Sequence, residues 1–416
     1  MRVLYIGPYL PSRTRVRSFE FLQRLGRRHR ITALGLANAR GTVGDGVEQP
    51  GGVDLMSASR SQVESLWHAA FDPFINGTPP RVGFDRSRRF QRLIRETLLS
   101  DRYDVVHLES VRALQYVAVV NAAAPAAGVV YDAVDSVEQY LRQVRSHHKE
   151  FRRSGLGSWA ALVHNGVALW LDARLVASYE ARLATKADCI VATTAADLAG
   201  VLQAASEGVA RRGRVIPNGV DGRYWHPQTD VSRSGAVFIG RLGYLPNELA
   251  AMWIIEQLAP ALREECPFVI VGEAPGKRLR ALASRQRTVQ VLGYQEDVRP
   301  LLWGAKVAVV PIRIAVGIQN KVLEALSCGV PVVVSDVVAR RLALNSDYGV
   351  FAANSAADFA ACIRWVLDNY PEAKGRALRG RQEVVARFSW EQAVASLEDG
   401  YAVAIQNRRQ RNATLE

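Results

Sequence analysis

The stretch GIQNKVLEALSCGVPVVVSDV, Gly317 to Val337, contains in miniature the pattern that repeats along the chain. It reads as a glycine-opened loop, a short helix and a buried strand. Ile318, Val322, Ala325 and Leu326 recur at helical spacing and give the helix one apolar face. Gly329 stands where a helix stops, and Pro331 follows just beyond it. Val330 to Val334 is a continuous apolar run, as in a parallel strand covered on both faces. Amides that open such a helix suit phosphate or sugar oxygens. Glu324, one turn inside, is a carboxylate able to hold a pair of hydroxyls. Two readings stay open from these residues alone: an ordinary αβ unit packed in a sheet, which shares this punctuation, or a loop that grips a nucleotide sugar.

The same alternation of apolar runs and helical stretches extends in both directions. Val3 to Gly7, Ile31 to Ala37, Val105 to Ser110, Gly128 to Ser136 and Asp188 to Thr194 read as strands and their exits, with a helix around Phe19 to Arg28. A second series runs through Gly235 to Gly240, Pro267 to Gly272, Val289 to Gly293, Val307 to Ile312 and Val330 to Ser335, with a helix around Glu248 to Arg263. Alternation of this kind specifies parallel α/β sheets. Between the two series, VIPNGVDGRYWHP (Val215 to Pro227) is rich in turn formers. The expected organisation is a first Rossmann-like domain over residues 1–214, a second over 215–387, and a closing helix over 388–416 that packs back on the first. In the closing helix Trp390, Ala393, Leu397 and Tyr401 recur at helical spacing. Two such domains facing each other place a cleft at the carboxyl ends of both sheets. Two further stretches, Ser65 to Phe84 and Leu156 to Leu183 with Trp159 and Trp170, mix aromatic and cationic residues. Each fits either a lipid interface or burial against the first domain.

A chain of 416 residues has room for two or three ordinary domains. No apolar run approaches the roughly 18 residues that span a membrane, and MRVLYIGPYL is too short and too broken for a secretory segment. Cys189, Cys266, Cys328 and Cys362 have neither metal nor disulfide spacing, so they read as buried apolar residues of a cytoplasmic protein. The net charge of +13 calls for an anionic partner or a solvated basic face. Much of the excess is arginine in the first hundred residues, from Arg13, Arg15 and Arg17 to Arg88, Arg89, Arg92 and Arg95. No zinc finger, helix-turn-helix or RNA-binding aromatic signature accompanies them, so nucleic acid is not the expected partner. Peripheral attraction to the inner, anionic face of a membrane is.

Four ordered motifs converge on one resemblance. RVIPNGVDGRYWHP (Arg214 to Pro227) resembles the interdomain signature of family 4 glycosyltransferases of the GT-B fold. FIGRLGYLPNELAAMWIIEQLAPALR (Phe238 to Arg263) resembles their diphosphate-binding segment, Gly317 to Val337 their donor loop, and FSWEQAVASLEDGY (Phe388 to Tyr401) their closing helix. The variants YLPNELA and GIQNKVLEAL are most similar to sugar transferases of bacterial exopolysaccharide systems.

The resemblance implies residue roles. Glu324 matches the second glutamate of a pair that holds the donor ribose, while Val316 stands where the first belongs. Sugar contacts then fall to the backbone of Gly317, Ile318 and Gln319 and to the side chains of Gln319 and Asn320. Arg241, directly after Gly240, matches the arginine that neutralises the leaving diphosphate; Pro246 replaces the family lysine, which leaves Lys321 as the second cation. Gly293 and Tyr294, with Gly272 and Glu273 alongside, match the base site. On the acceptor side Arg13, Arg15 or Arg17 would meet an anionic acceptor. Asp132 and Asp135 would face the cleft, with Asp135 touching the donor sugar or capping the next helix. His107 reads as a satisfied histidine of the core or its rim.

The implied reaction moves a sugar, of hexosyl type, from a nucleotide donor to an acceptor hydroxyl, with retention and with neither metal nor cofactor. The implied partners are a nucleotide-diphosphate sugar and a glycan, lipid-linked sugar or small-molecule acceptor. A sugar-nucleotide 2-epimerase of the same fold and a catalytically weak nucleotide-sugar-binding protein are the alternatives. The first would need several acid/base groups around the donor site; the second is suggested by Val316 and Pro246.

Overall fold

Apolar runs with no polar alternation, each followed by a helix, bury on both faces only as parallel strands. The computed structural model describes residues 1–37, 48–147, 166–203 and 205–414. It divides into two units, Met1–Pro217 with Trp390–Glu416, and Asn218–Ser389.

The first unit holds seven parallel strands in the order β3-β2-β1-β4-β5-β6-β7. They are β1 (Arg2–Ile6), β2 (Arg30–Ala37), β3 (Val53–Ser59), β4 (Val105–Glu109), β5 (Gly128–Asp132), β6 (Cys189–Ala192) and β7 (Gly213–Val215). Helices α1 (Val16–Leu25), α2 (Gln62–Asn76), α3 (Arg88–Ser100), α4 (Val137–Ser146) and α5 (Gly166–Ala184) connect or cover them. The second unit repeats the plan with six strands in the order β10-β9-β8-β11-β12-β13. These are β8 (Ala236–Ile239), β9 (Phe268–Val271), β10 (Val289–Leu292), β11 (Val307–Val310), β12 (Val332–Ser335) and β13 (Val350–Ala353). Helix α6 (Leu245–Trp253) follows β8, and α7 (Asn320–Ser327) precedes β12. Both are doubly wound Rossmann-like sheets. In each, the strand order reverses at one place, between β1 and β4 and between β8 and β11, and ligands of such sheets bind at the carboxyl ends there.

Three strands have no counterpart in the sequence reading: β3, β7 and β13. All three are sheet edges. β3 buries only Val53 and β7 buries none of its residues, so neither shows the apolar run of a central strand. β12 starts at Val332 rather than Val330 because the residues before it finish α7. Gly329 has φ +69°, its N–H reaches Leu326 O at 2.8 Å, and Val330 N–H reaches Ala325 O at 3.0 Å. That pairing closes the helix as a Schellman motif, and Pro331 has no N–H to offer. The helix expected from Glu248 starts earlier, at Leu245, with Pro246 in its first turn, where a missing N–H costs nothing.

The C-terminal helix, Trp390–Ala413, lies against β4, β5, β6 and α1 of the first unit. Trp390 is fully buried and meets Phe21 edge-on at 5.7 Å. A side chain at Gly128 would come within 2.7 Å of the backbone at Ala404 and Ile405, so the helix can touch β5 only where the strand has a glycine. Farther along, Arg408 donates from Nε to Asp188 at 2.8 Å and from Nη2 to Asn121 at 2.6 Å. Asp188 is fully buried and also accepts from the Val129 amide at 2.9 Å. Replacing Arg408 by Ala leaves that carboxylate short of its buried partner. Arg411 also pairs with Asp188, so we expect a loss of about 1–3 kcal/mol in urea unfolding, with Arg408→Lys recovering part of it.

Candidate functional site

In the second unit the switch point gathers several polar groups. A Cβ at Gly272 would fall 1.8 Å from Gly240 O. The exits of β8 and β9 come this close because Gly272 carries no side chain. The contact sets Arg241 beside Glu273, with Nε 2.8 Å from Oε1, and Leu242 N–H bonds Glu273 O at 2.9 Å. The Arg241 side chain is 60% exposed, so it can turn from Glu273 to an incoming anion. Asn247, in the first turns of α6, packs its amide over Gly240, where a Cβ would lie 2.9 Å away. Its Nδ2 donates to Arg241 O at 3.0 Å and its Oδ1 accepts from Lys321 Nζ on α7. Lys321 Nζ also sits 5.1 Å from the centre of the Phe238 ring. Lys321 and the backbone of Arg241 are therefore tied together through Asn247, a residue with no role in the sequence reading.

Lys321 and Glu324 keep some accessible surface as residues, yet their charged ends lie beneath it. Burial pulls the Lys321 ammonium down to about 7, against a smaller opposing pull from Glu324. Burial pushes the Glu324 carboxyl up to about 7, opposed by Lys321. Each group is poised to take the charge that a ligand favours: an anion beside Lys321 stabilises its proton, and hydroxyls donating to Glu324 stabilise its anion.

The loop expected to hold the donor is built from several conformational choices. Gly317 is left-handed at φ +63°. Ile318 is buried, so it offers only its backbone. Gln319 turns back to donate to Val316 O at 3.2 Å, and Asn320 accepts from Asn218 Nδ2 at 3.1 Å. These two amides, expected to replace the absent first glutamate, thus stand against protein partners that a sugar would have to displace. Val316 itself is buried. A Cβ at Gly293 would meet nothing within 4 Å, and Tyr294 is exposed, which leaves room beside the β10 exit.

In the first unit the strand ends differ from expectation. Arg17 is buried and grips Asp132 with Nε at 2.8 Å and Nη2 at 3.2 Å, while its Nη1 donates to Ile216 O at 3.0 Å. Asp132 is fully buried and also accepts from the Val134 amide at 3.0 Å. The pair joins α1 to β5 from within. Asp132 therefore does not face outward from its strand end, and Arg17 is not available to an acceptor. Arg13 is exposed and paired with Glu48, and Arg15 lies 3.4 Å over the Tyr9 ring. Asp135 accepts from Thr193 Oγ1 at 3.2 Å. The α4 cap is Ser136, whose Oγ accepts from Gln139 N–H at 3.2 Å. His107 is a core histidine, stacked on Tyr5 at 4.3 Å and 3.1 Å from Tyr401 Oη. Burial lowers it to about 4, which keeps it neutral.

The residue the sequence reading missed here is Glu109, the last of β4, at the switch point of this sheet. A Cβ on Gly7 would come within 2.9 Å of its Oε2. Burial, with the Asp132 charge added, pushes its carboxyl up to about 7, against Arg15 and the nearby Tyr5 hydroxyl. The next residue, Ser110, holds φ +66°, and Val134 after β5 holds φ +61°. Left-handed geometry is costly for a β-branched residue. A signal existed in the sequence: a lone carboxylate ending an apolar strand beside the first glycine loop. Among the described residues no group of three or more His, Cys, Asp and Glu could hold a metal ion, and no helix is long and apolar enough to cross a membrane.

Two doubly wound units with polar switch points define the GT-B fold of nucleotide-sugar transferases. Residues 16–223, half of the chain, match the family model "Glycosyltransferase Family 4", and residues 233–369 match "Glycosyl transferases group 1". The chain belongs to glycosyltransferase family 4. Among curated proteins it is 29% identical over 234 residues to a GDP-mannose-dependent alpha-(1-6)-phosphatidylinositol dimannoside mannosyltransferase of Mycobacterium tuberculosis, covering 52% of this chain and 58% of that protein. It is 27% identical over 264 residues to a glycogen synthase of the same organism, covering 59% and 62%. The chain thus spans about six-tenths of these relatives' length. Among solved structures it resembles Anabaena HepE in complex with UDP and glucose, with TM-score 0.69, 15% identity and coverage of 97% and 99%. Sucrose-phosphate synthase of Thermosynechococcus elongatus gives 0.65 at 15% identity, with full coverage of both chains.

Two outcomes follow from this geometry. Gly272→Ala should cost about 1–3 kcal/mol or more by overpacking, read by thermal unfolding. Lys321→Met should leave stability at pH 7 unchanged or higher. The wild-type lysine is held near 7 in the fold against 10.5 when unfolded. Below 7 the burial cost of its proton is felt in full, and it fades as pH rises to 10.5. The stability difference between variant and wild type should therefore shrink over that window in pH-dependent urea titrations.

Proposed function

We propose that this chain transfers a sugar from a nucleoside diphosphate sugar to an acceptor hydroxyl, with retention and without a metal. The observation that carries the reading is the convergence of Arg241 and Lys321, through Asn247, on the switch point of the second sheet. In this reading their two cations neutralise the departing diphosphate. Glu324 accepts the ribose hydroxyls through charge-assisted bonds. The base lies along Gly272, Gly293 and Tyr294. The sugar is held by the backbone of Gly240, Gly317 and Ile318, with Gln319 and Asn320 recruited from their protein partners. The bond from C1 to the diphosphate oxygen breaks as the bond from C1 to the acceptor oxygen forms, and the acceptor proton passes to the leaving phosphate.

On the acceptor side we assign Asp135 and Glu109 to substrate hydroxyls, and Arg13 and Arg15 to an anionic acceptor. The acceptor would be a glycan or a lipid-linked sugar reached at an anionic membrane face, in an exopolysaccharide or other glycoconjugate pathway. Anabaena HepE, solved with UDP-glucose, and the GDP-mannose-dependent relative support a nucleoside diphosphate sugar as donor. Family membership favours transfer over the epimerase reading.

A thermal-shift panel of UDP-, GDP- and dTDP-sugars tests the donor assignment. A ligand at 100 times its Kd should stabilise by about 2.7 kcal/mol, and silence across the panel would overturn the reading. Arg241→Ala should weaken nucleotide binding roughly 10- to 100-fold by calorimetry. Affinity in the wild type should fall as pH rises above about 7, where Lys321 loses its proton. Lys321→Met should bind weakly with no such pH dependence.

A further inference from the structure

Helix α2 has its faces reversed. Ser65, His68 and Asp72 point inward and are buried. They are accommodated by polar contacts: His68 Nδ1 lies 3.1 Å from both Asp72 oxygens, and Arg86 donates to Asp72 at 2.6 Å. The outward face carries Val63, Leu66, Trp67, Phe71, Phe74 and Ile75, exposed by 46% to 89%. Their spacing of three and four residues puts them on one continuous stripe. Burial against the first unit, one of the two readings of this segment, therefore does not describe that stripe. A helix bathed in water carries the opposite arrangement, because apolar area this large is unfavourable in contact with it.

The surroundings of the stripe are cationic. Glu64 of α2 accepts the backbone N–H of Arg88 at 2.9 Å, which ties the start of α3 to the start of α2. Arg88, Arg92 and Arg95 recur along one side of α3, and all are exposed. At the other end of α2, exposed Arg182 donates to Asn76 O at 3.1 Å. An apolar helix face bordered by arginines at both ends matches a surface that is apolar within and anionic at its boundary.

We propose that α2 lies in the plane of an anionic lipid bilayer, with Leu66, Trp67, Phe71 and Phe74 below the headgroups and the α3 arginines on lipid phosphates. Such helices bind through buried apolar area plus electrostatic attraction, without spanning. Each arginine near an anionic surface contributes roughly fivefold to partitioning at low salt. This names the surface behind the membrane contact proposed above. It rests on that contact and not on the transfer chemistry, so the two can fail separately.

The experiment is flotation of the intact chain with phosphatidylcholine vesicles, with and without phosphatidylglycerol. The wild type should float with the anionic vesicles and be released by salt. Leu66→Glu/Phe74→Glu should reduce binding more than tenfold. Both side chains are exposed, so melting and nucleotide affinity should be unchanged in the variant, which separates lost docking from lost folding. Arg88→Glu/Arg92→Glu should reduce binding to anionic vesicles more than tenfold and leave weak binding to neutral vesicles unchanged. Three results would overturn the proposal: no flotation of the wild type, equal flotation of Leu66→Glu/Phe74→Glu, or a wild-type dimer in sedimentation that this variant dissolves without any vesicle binding, which would assign the stripe to a second copy.

Discussion

Two backbones touch at Gly240 and Gly272, and the geometry of the strand ends in the second unit depends on that contact. Parallel strands already place their carboxyl ends on one edge of the sheet. The missing side chain at Gly272 lets two of those ends lie closer than a Cβ there would allow. Arg241 and Glu273 come to lie side by side, and Gly240 leaves a seat for the Asn247 amide. Asn247 then reaches Lys321 across from α7. Lys321, a second cation beside the segment that carries Arg241, is in this way brought in from another element.

The enclosed ionisable groups of the two units fall into two kinds. In the first unit, Arg17 with Asp132 and Arg408 with Asp188 are buried pairs with additional hydrogen bonds, and they fasten helices to the sheet. A buried charge stays charged only when so satisfied. Glu109, Lys321 and Glu324 are less fully compensated, and all three are held near 7. Groups held near neutrality at a switch point respond to a ligand's charge, whereas the fully paired ones do not. Left-handed non-glycine residues follow strands in both units: Ser110 and Val134 after β4 and β5, and Ala274 after β9.

Helix α2 shows how misleading composition can be without orientation. Its sequence contains enough Trp, Phe, Leu and Ile to be taken for core, and enough polar residues to be taken for surface. The fold decides which side each set faces, and the polar set faces in.

Much of this architecture was legible in the sequence because parallel strands buried on both faces must be continuous apolar runs, and helices between them need glycine and proline stops. Gly329 and Pro331 mark theirs plainly. Edge strands escaped: β3 and β7 bury little and so lack the run. Arg241 and Glu324 were legible through ordered motifs. Asn247 and Glu109 were not, since each takes its meaning from a neighbour distant in sequence: Lys321 for one, Gly7 and Tyr5 for the other. The sequence by itself determined the kind of fold. Only the tertiary structure decided which charges are enclosed and which stay available, that Asp132 turns inward to Arg17, and that α2 turns its apolar side out. Burial and pairing are properties of surroundings, and surroundings come from strands and helices far apart along the chain.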